Sequence, residues 1–210
     1  VNVLTNYDLL GAGADGVFGT GDDIRNYRLD GPNYSTGLSA SLAITNGPLQ
    51  PGLYRFTATT NLTDRAGNAL AANFVRSFWV APRPGFTIES RINDTTDSPM
   101  RLNFLEDPSG LGWAVGQGTL RASPDVDWWS FMGSAGQVLN LAMDWPDNPG
   151  AGYDWRCTLY QPGNSYWFWM RFDGAEAQAP VTLPVSGEYR MTISRQYAYS
   201  DVGEYWVRVN

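Results

Sequence analysis

The chain has 210 residues, enough to bury one large core or two ordinary ones. Its 14 basic residues, every one an Arg, stand against 21 acidic ones for a net charge of −7, a balance that excludes a phosphate-neutralising, nucleic-acid-binding role. With no His and no Lys, the chain has no Ser-His-Asp or Cys-His system, no Schiff base and no imidazole metal ligand.

The single Cys157 cannot make an internal disulfide and reads as a small packed hydrophobe. No apolar run approaches the roughly 18 to 20 residues that cross a bilayer. The chain starts at Val1 with neither an initiator Met nor a basic targeting segment. The expectation is a monomeric fragment of a longer protein whose targeting signal lies elsewhere.

Period-2 alternation bounded by Gly, Pro, Asn and Asp recurs along the chain, and no stretch sustains a helical apolar face over three turns. The predicted fold class is therefore all-β. The first element is a Gly- and Asp-rich loop, GAGADGVFGTGDD (11–23), in which Asp15, Asp22 and Asp23 fall close together. Strands are predicted at IRNYRLD (24–30), GLSASLAI (37–44), LYRFTATT (53–60) and FVRSFWV (74–80), with Leu38, Ala40, Leu42 and Ile44 on one face. APRPG (81–85) reads as a linker, dividing a first domain, 1–81, from a second, 86–210. After it come about ten short predicted strands: FTIESR, MRLNFL, GQGTLRA, DVDWWSF, QVLNLAMDW, DWRCTLY, SYWFWMRF, APVTLP, GEYRMTISR and GEYWVRV. Their spacing predicts a β-sandwich or jelly roll.

Two resemblances attach to particular residues. Pro51-Gly52-Leu53-Tyr54, the turn Thr63-Asp64-Arg65-Ala66-Gly67-Asn68-Ala69-Leu70 and the strand end Phe78-Trp79-Val80 resemble the C-terminal half of a bacterial Ig-like domain. About five strands are countable there, against about seven for a complete sandwich, so the family's opening strands are missing. Residues 86–210 resemble the bacterial pre-peptidase C-terminal domain, a β-sandwich appended to exported peptidases and other secreted proteins. Its motifs occur in order: the acidic opening IESRINDTTDSP (88–99), Gly118-Thr119-Leu120, Asp125-Val126-Asp127-Trp128-Trp129-Ser130-Phe131, AGQVL (135–139), LYQPG (159–163) and two G-x-Y strands, at Gly187-Glu188-Tyr189 and Gly203-Glu204-Tyr205.

The second resemblance implies a calcium site formed by Glu89, Asn93, Asp94, Asp125 and Asp127, an all-oxygen set that suits Ca²⁺. Arg91 stands where some calcium-binding relatives have a second acid, so an acidic turn satisfied by Arg91 is the alternative. The opening loop lacks the EF-hand pattern but resembles DG-x-FGT-x-DD insertions of bacterial Ig-like modules. That implies Ca²⁺ on Asp15, Asp22 and Asp23 with Phe18 as a plug; a bare hairpin loop is the alternative.

Aromatics concentrate after residue 127. In SYWFWMRF, simple alternation puts Tyr166, Phe168 and Met170 on one face and Trp167, Trp169 and Arg171 on the other. The Trp167–Trp169 face, extended by Tyr197 and Tyr199, is a candidate ligand platform; cross-strand packing is the alternative. The functional expectation is a non-catalytic accessory fragment of a large exported bacterial protein, at the cell surface or outside the cell. It binds extracellular polysaccharide or protein and is stabilised by calcium. A structural spacer or maturation domain is the second reading, and a small two-carboxylate glycoside hydrolase the third.

Overall fold

The structure is a computed structural model that describes residues 1–210 apart from 26, 32, 33, 35, 38, 45, 46, 91, 121–124, 145–153, 174–176 and 197–202. The protein is all-β: its described elements are strands and one 3₁₀ turn, Leu4–Asn6. It divides into two compact units, Val1–Pro82 and Arg83–Asn210, the break falling inside APRPG.

In the first unit β1 (Tyr7–Gly11), β4 (Gly52–Ala58) and β5 (Phe74–Val80) form an antiparallel sheet with β4 in the middle. A two-stranded ribbon, β2 (Leu29–Asp30) with β3 (Ala43–Ile44), is a separate sheet whose Leu29 and Ile44 pack against the same core. Tyr54 organises the small core. Its buried hydroxyl donates to the Gln50 carbonyl at 2.7 Å and lies 2.8 Å from the Tyr27 hydroxyl, while its ring stacks on Phe78. The turn Thr63–Leu70 is closed by Asp64, whose carboxylate accepts from the Asn68 backbone N–H at 2.8 Å and the Asn68 amide at 2.9 Å. The strands expected at 24–30 and 37–44 shrink to Leu29–Asp30 and Ala43–Ile44. Alternation there is not matched by a partner: Ile24 makes one isolated bridge to Gly11, and Leu38 lies outside the described residues.

The second unit contains β6 (Phe86–Ile88), β7 (Met100–Arg101), β8 (Leu105–Glu106), β9 (Gly112–Leu120), β10 (Val126–Gly133), β11 (Val138–Asp144), β12 (Asp154–Gln161), β13 (Ser165–Asp173), β14 (Ala177–Thr182), β15 (Gly187–Arg195) and β16 (Gly203–Val209). They form a five-stranded sheet, β13-β12-β15-β10-β7, and a six-stranded one, β14-β11-β16-β9-β6, with β8 added against β9. Inward residues of both sheets share one core. Trp129, Phe131, Trp155, Leu159, Tyr189 and Met191 of the first meet Leu120, Leu139, Leu141, Met143, Tyr205 and Val207 of the second. Each large apolar side chain so buried stabilises the fold by about 1.5–3 kcal/mol.

β12 and β13 depart from simple alternation. Leu159 faces Phe168, but the next residue, Tyr160, faces Tyr166, so Trp167 is an extra residue bulging from β13. The bulge resets the faces: Phe168 and Met170 pack on the core, Trp169 stays outside, and Tyr166 joins it there. Trp167 turns inward, its ring 4.7 Å from Phe168 and 6.1 Å from Tyr189. The expected face of Trp167 with Trp169 is thereby corrected, because one inserted residue inverts a period of two. Trp167→Ala is expected to destabilise the second unit by about 1–3 kcal/mol, whereas Trp169→Ala shifts it by less than about 0.5 kcal/mol. Urea unfolding followed by circular dichroism checks the contrast; equal losses would contradict the bulged register.

Candidate metal centre

Three segments bring acids together at one edge of the sandwich core. Glu89 follows β6, and its backbone N–H continues the ladder onto the Gln117 carbonyl at 2.9 Å. Asp125 and Asp127 lie at the start of β10. Asn93 and Asp94 belong to the loop between β6 and β7, which is held against β10 by the Trp128 N–H donating to the Asn93 carbonyl at 2.8 Å. The Ser98 hydroxyl closes the loop on the Ile92 carbonyl at 2.6 Å, and Arg190 of β15 donates to the Thr96 carbonyl at 2.7 Å. Carboxylate oxygens of Asp94, Asp125 and Asp127 lie within 4.8 Å of one another. Asp94 is exposed and the other two are buried, so the cluster reaches from the core to solvent.

Asp127 is 2% exposed and accepts from the Tyr205 hydroxyl at 2.7 Å; that hydroxyl in turn accepts from the Trp129 indole N–H at 2.9 Å. Glu89, also 2% exposed, accepts from the Thr119 N–H at 3.0 Å and hydrogen-bonds the Asp127 carboxyl. Two carboxyls in mutual contact share a proton in the absence of a cation. Burial, then Glu89 and Asp125 beside it, push the Asp127 carboxyl well above the usual carboxylate range. Burial, then Asp127 and Glu89 beside it, push the Tyr205 phenol up as well. Gly118 makes the site possible: a Cβ there would stand 2.5 Å from both the Glu89 carboxylate and the Tyr205 hydroxyl.

Asn93 is the unusual member. Its side chain is fully buried, and neither its Oδ1 nor its Nδ2 has a hydrogen-bond partner among the described residues. Orphaned buried amides are uncommon and call for an ion or water. Arg91, the proposed substitute for a cation, lies outside the described residues.

The opening loop is built differently. Asp22 accepts from the Ala14 and Asp15 N–H groups and from the Thr20 hydroxyl; Asp15 accepts from the Val17 N–H; Asp23 accepts from the Gly19 N–H and pairs with Arg25 at 3.1 Å. The Thr20 and Asp15 bonds hold Asp22 below the usual carboxylate range. These carboxylates cap the loop's own donors, and Phe18 lies under the Arg55 guanidinium at 4.6 Å. The buried Glu89–Asp127 pair also lacks the arrangement of a glycosidase, whose carboxyls flank an open cleft and stand roughly 5–9.5 Å apart.

Of the platform residues, Trp169 is 43% exposed on the outer face of the five-stranded sheet, and Tyr197 and Tyr199 lie outside the described residues. Sequence reasoning missed Tyr160, Tyr166 and Trp128, which share that outer face, and also the Tyr205–Trp129 support of Asp127. The G-x-Y and D-x-D-W-W motifs contained the second of these signals; nothing in the sequence announces the bulge.

No known family matches the chain by sequence profile, and no curated protein matches it. Among solved structures, it is similar to PliG, a periplasmic lysozyme inhibitor of g-type lysozyme from Aeromonas hydrophila, with 18% identity over 54% of this chain and 95% of that one and a TM-score of 0.41. It is also similar to the pre-peptidase C-terminal domain of a collagenase from Bacillus anthracis, with 14% identity over 54% of this chain and 95% of that one and a TM-score of 0.40.

The raised Asp127 carboxyl has a defined consequence for stability. The folded state holds this proton more tightly than the unfolded chain does, so the contribution is fully present below the ordinary carboxylate range and is lost as pH rises through the raised folded value. In EDTA, the urea midpoint is expected to be lower at pH 8 than at pH 5, and Asp127→Asn is expected to flatten the difference. Equal pH slopes for wild type and variant would contradict this assignment.

Proposed function

We propose that the chain is a non-catalytic accessory part of an exported bacterial protein, and that its second unit is a calcium-stabilised module that binds extracellular polysaccharide or protein. The observation that carries the calcium reading is Asn93, fully buried with both side-chain polar atoms unmatched among the described residues, next in sequence to an Asp94 carboxylate within 4.8 Å of Asp125 and Asp127. The donor set is oxygen throughout, which suits a hard cation such as Ca²⁺ rather than a thiolate- or imidazole-seeking metal. Asp94, Asp125, Asp127 and the Asn93 Oδ1 would hold the ion; Glu89, bonded to Asp127 and to the Thr119 N–H, would orient Asp127. A divalent ion would also replace the shared proton of the buried carboxyls. The binding reading is supported by the outer face of the five-stranded sheet, where Trp169 and Tyr166 are exposed beside each other's strand partners. No helix of the described residues is long and apolar enough to cross a membrane.

Calorimetry tests the calcium reading. Free Ca²⁺ at 100 times Kd is expected to stabilise the second unit by about 2.7 kcal/mol if the ion binds only the folded state. Asp94→Ala removes an exposed side chain and is expected to abolish the shift. Identical wild-type melts in EDTA and in millimolar Ca²⁺ would end the calcium reading.

A further inference from the structure

The register of the five-stranded sheet arranges its outer face in rows. One row reads Trp169, Thr158, Thr192, Trp128 across β13, β12, β15 and β10. Its neighbour on one side reads Tyr166, Tyr160, Arg190, Ser130, Arg101; on the other side stand Arg171 and Arg156. The two indoles begin three strand spacings apart, roughly 14 Å. Trp128 leans over β15 to within 5.1 Å of Tyr160, and Tyr160 lies edge-on to Tyr166 at 6.3 Å, so three rings form a continuous lane across the sheet. Thr158 and Thr192, although outward, are each 4% exposed.

Arg156 is fixed rather than free to swing. Its Nε donates to the Thr158 hydroxyl at 3.1 Å, and its guanidinium lies 5.0 Å over the Trp169 ring. An arginine so held presents a preformed fork for a carboxylate. In a chain of net charge −7, the described side chains of this face include four arginines and one carboxylate, Glu188, which already pairs with Arg190 at 3.3 Å. Asp154 and Asp173 are register partners two positions beyond Arg156 and Arg171. Here a fixed guanidinium stands over one exposed ring and beside others, a pattern that fits a ligand with flat faces and a carboxylate.

We propose that this face binds a uronic-acid polysaccharide, with sugar rings stacked on Trp169 and on the Tyr160–Tyr166 pair and a uronate carboxylate taken by Arg156. The inference rests on the reading of the second unit as a binding module and names that module's ligand class.

The test titrates the full chain with hyaluronan, dextran and poly-glutamate, following tryptophan fluorescence and retardation in affinity gels. Hyaluronan is expected to bind and to quench the fluorescence. Trp169→Ala and Arg156→Gln are each expected to weaken it at least tenfold with unchanged melting curves. Arg156→Lys, which keeps the charge without the fork, is also expected to weaken it. If Trp169→Ala melts early, Tyr166→Ala, at a side chain 55% exposed, must show the loss instead. Dextran bound as tightly as hyaluronan, and lost in Trp169→Ala, would overturn the uronate class while leaving the binding module standing. Poly-glutamate displacing hyaluronan with equal affinity would overturn it in favour of a protein partner. Failure of every probe to bind would overturn both the ligand class and the module.

Discussion

The second unit is organised around a carboxyl kept inside its sandwich. Asp127 of β10 lies against Tyr205 of β16 and Glu89 beyond β6, so strands of both sheets converge on one polar contact. Buried ionisable groups are tolerated only when nearly every hydrogen-bonding position is matched. That requirement explains several neighbours at once. Trp129 donates to Tyr205, the Thr119 N–H serves Glu89, and Gly118 leaves the space in which the two side chains meet. Among the described residues the side-chain polar atoms of buried Asn93 stay unmatched, and exposed Asp94 follows it in sequence.

The two faces of the five-stranded sheet divide the aromatic content of the unit. Inside, Trp129, Phe131, Trp155 and Tyr189 contribute area to a core shared with the other sheet. Outside, Trp128, Tyr160, Tyr166 and Trp169 touch one another and an arginine, and two of these rings stay more than two-fifths exposed. A run of aromatic residues in sequence is thus split between stability and surface chemistry by the pleat. Neither share can be judged from residue type.

The all-β class was legible because strands bounded by Gly, Pro and Asn turns announce themselves through a period of two, and β5, β9, β10, β15 and β16 fall where that period is clean. The grouping of Asp94 with Asp125 and Asp127 was legible as what the resemblance to the pre-peptidase C-terminal domain implied. What could not be read were the features set by partners distant in sequence. Residues 24–30 and 37–44 alternate yet are mostly not strands, because alternation fixes a face and says nothing of a neighbour to pair with. The inward turn of Trp167 depends on a one-residue register shift against β12, which no local pattern in SYWFWMRF encodes.

That same shift bears on the solubility of the unit. β13 is the edge strand of its sheet, nine residues long and rich in aromatics, which is the kind of border along which another copy would add its own strand and start a growing stack. A bulge interrupts the even ladder such stacking needs, and it sharpens the local twist. Arg171, exposed farther along the border, adds a charge that a second identical strand would have to meet. The irregularity that turns Trp167 inward therefore also keeps the border from serving as a template.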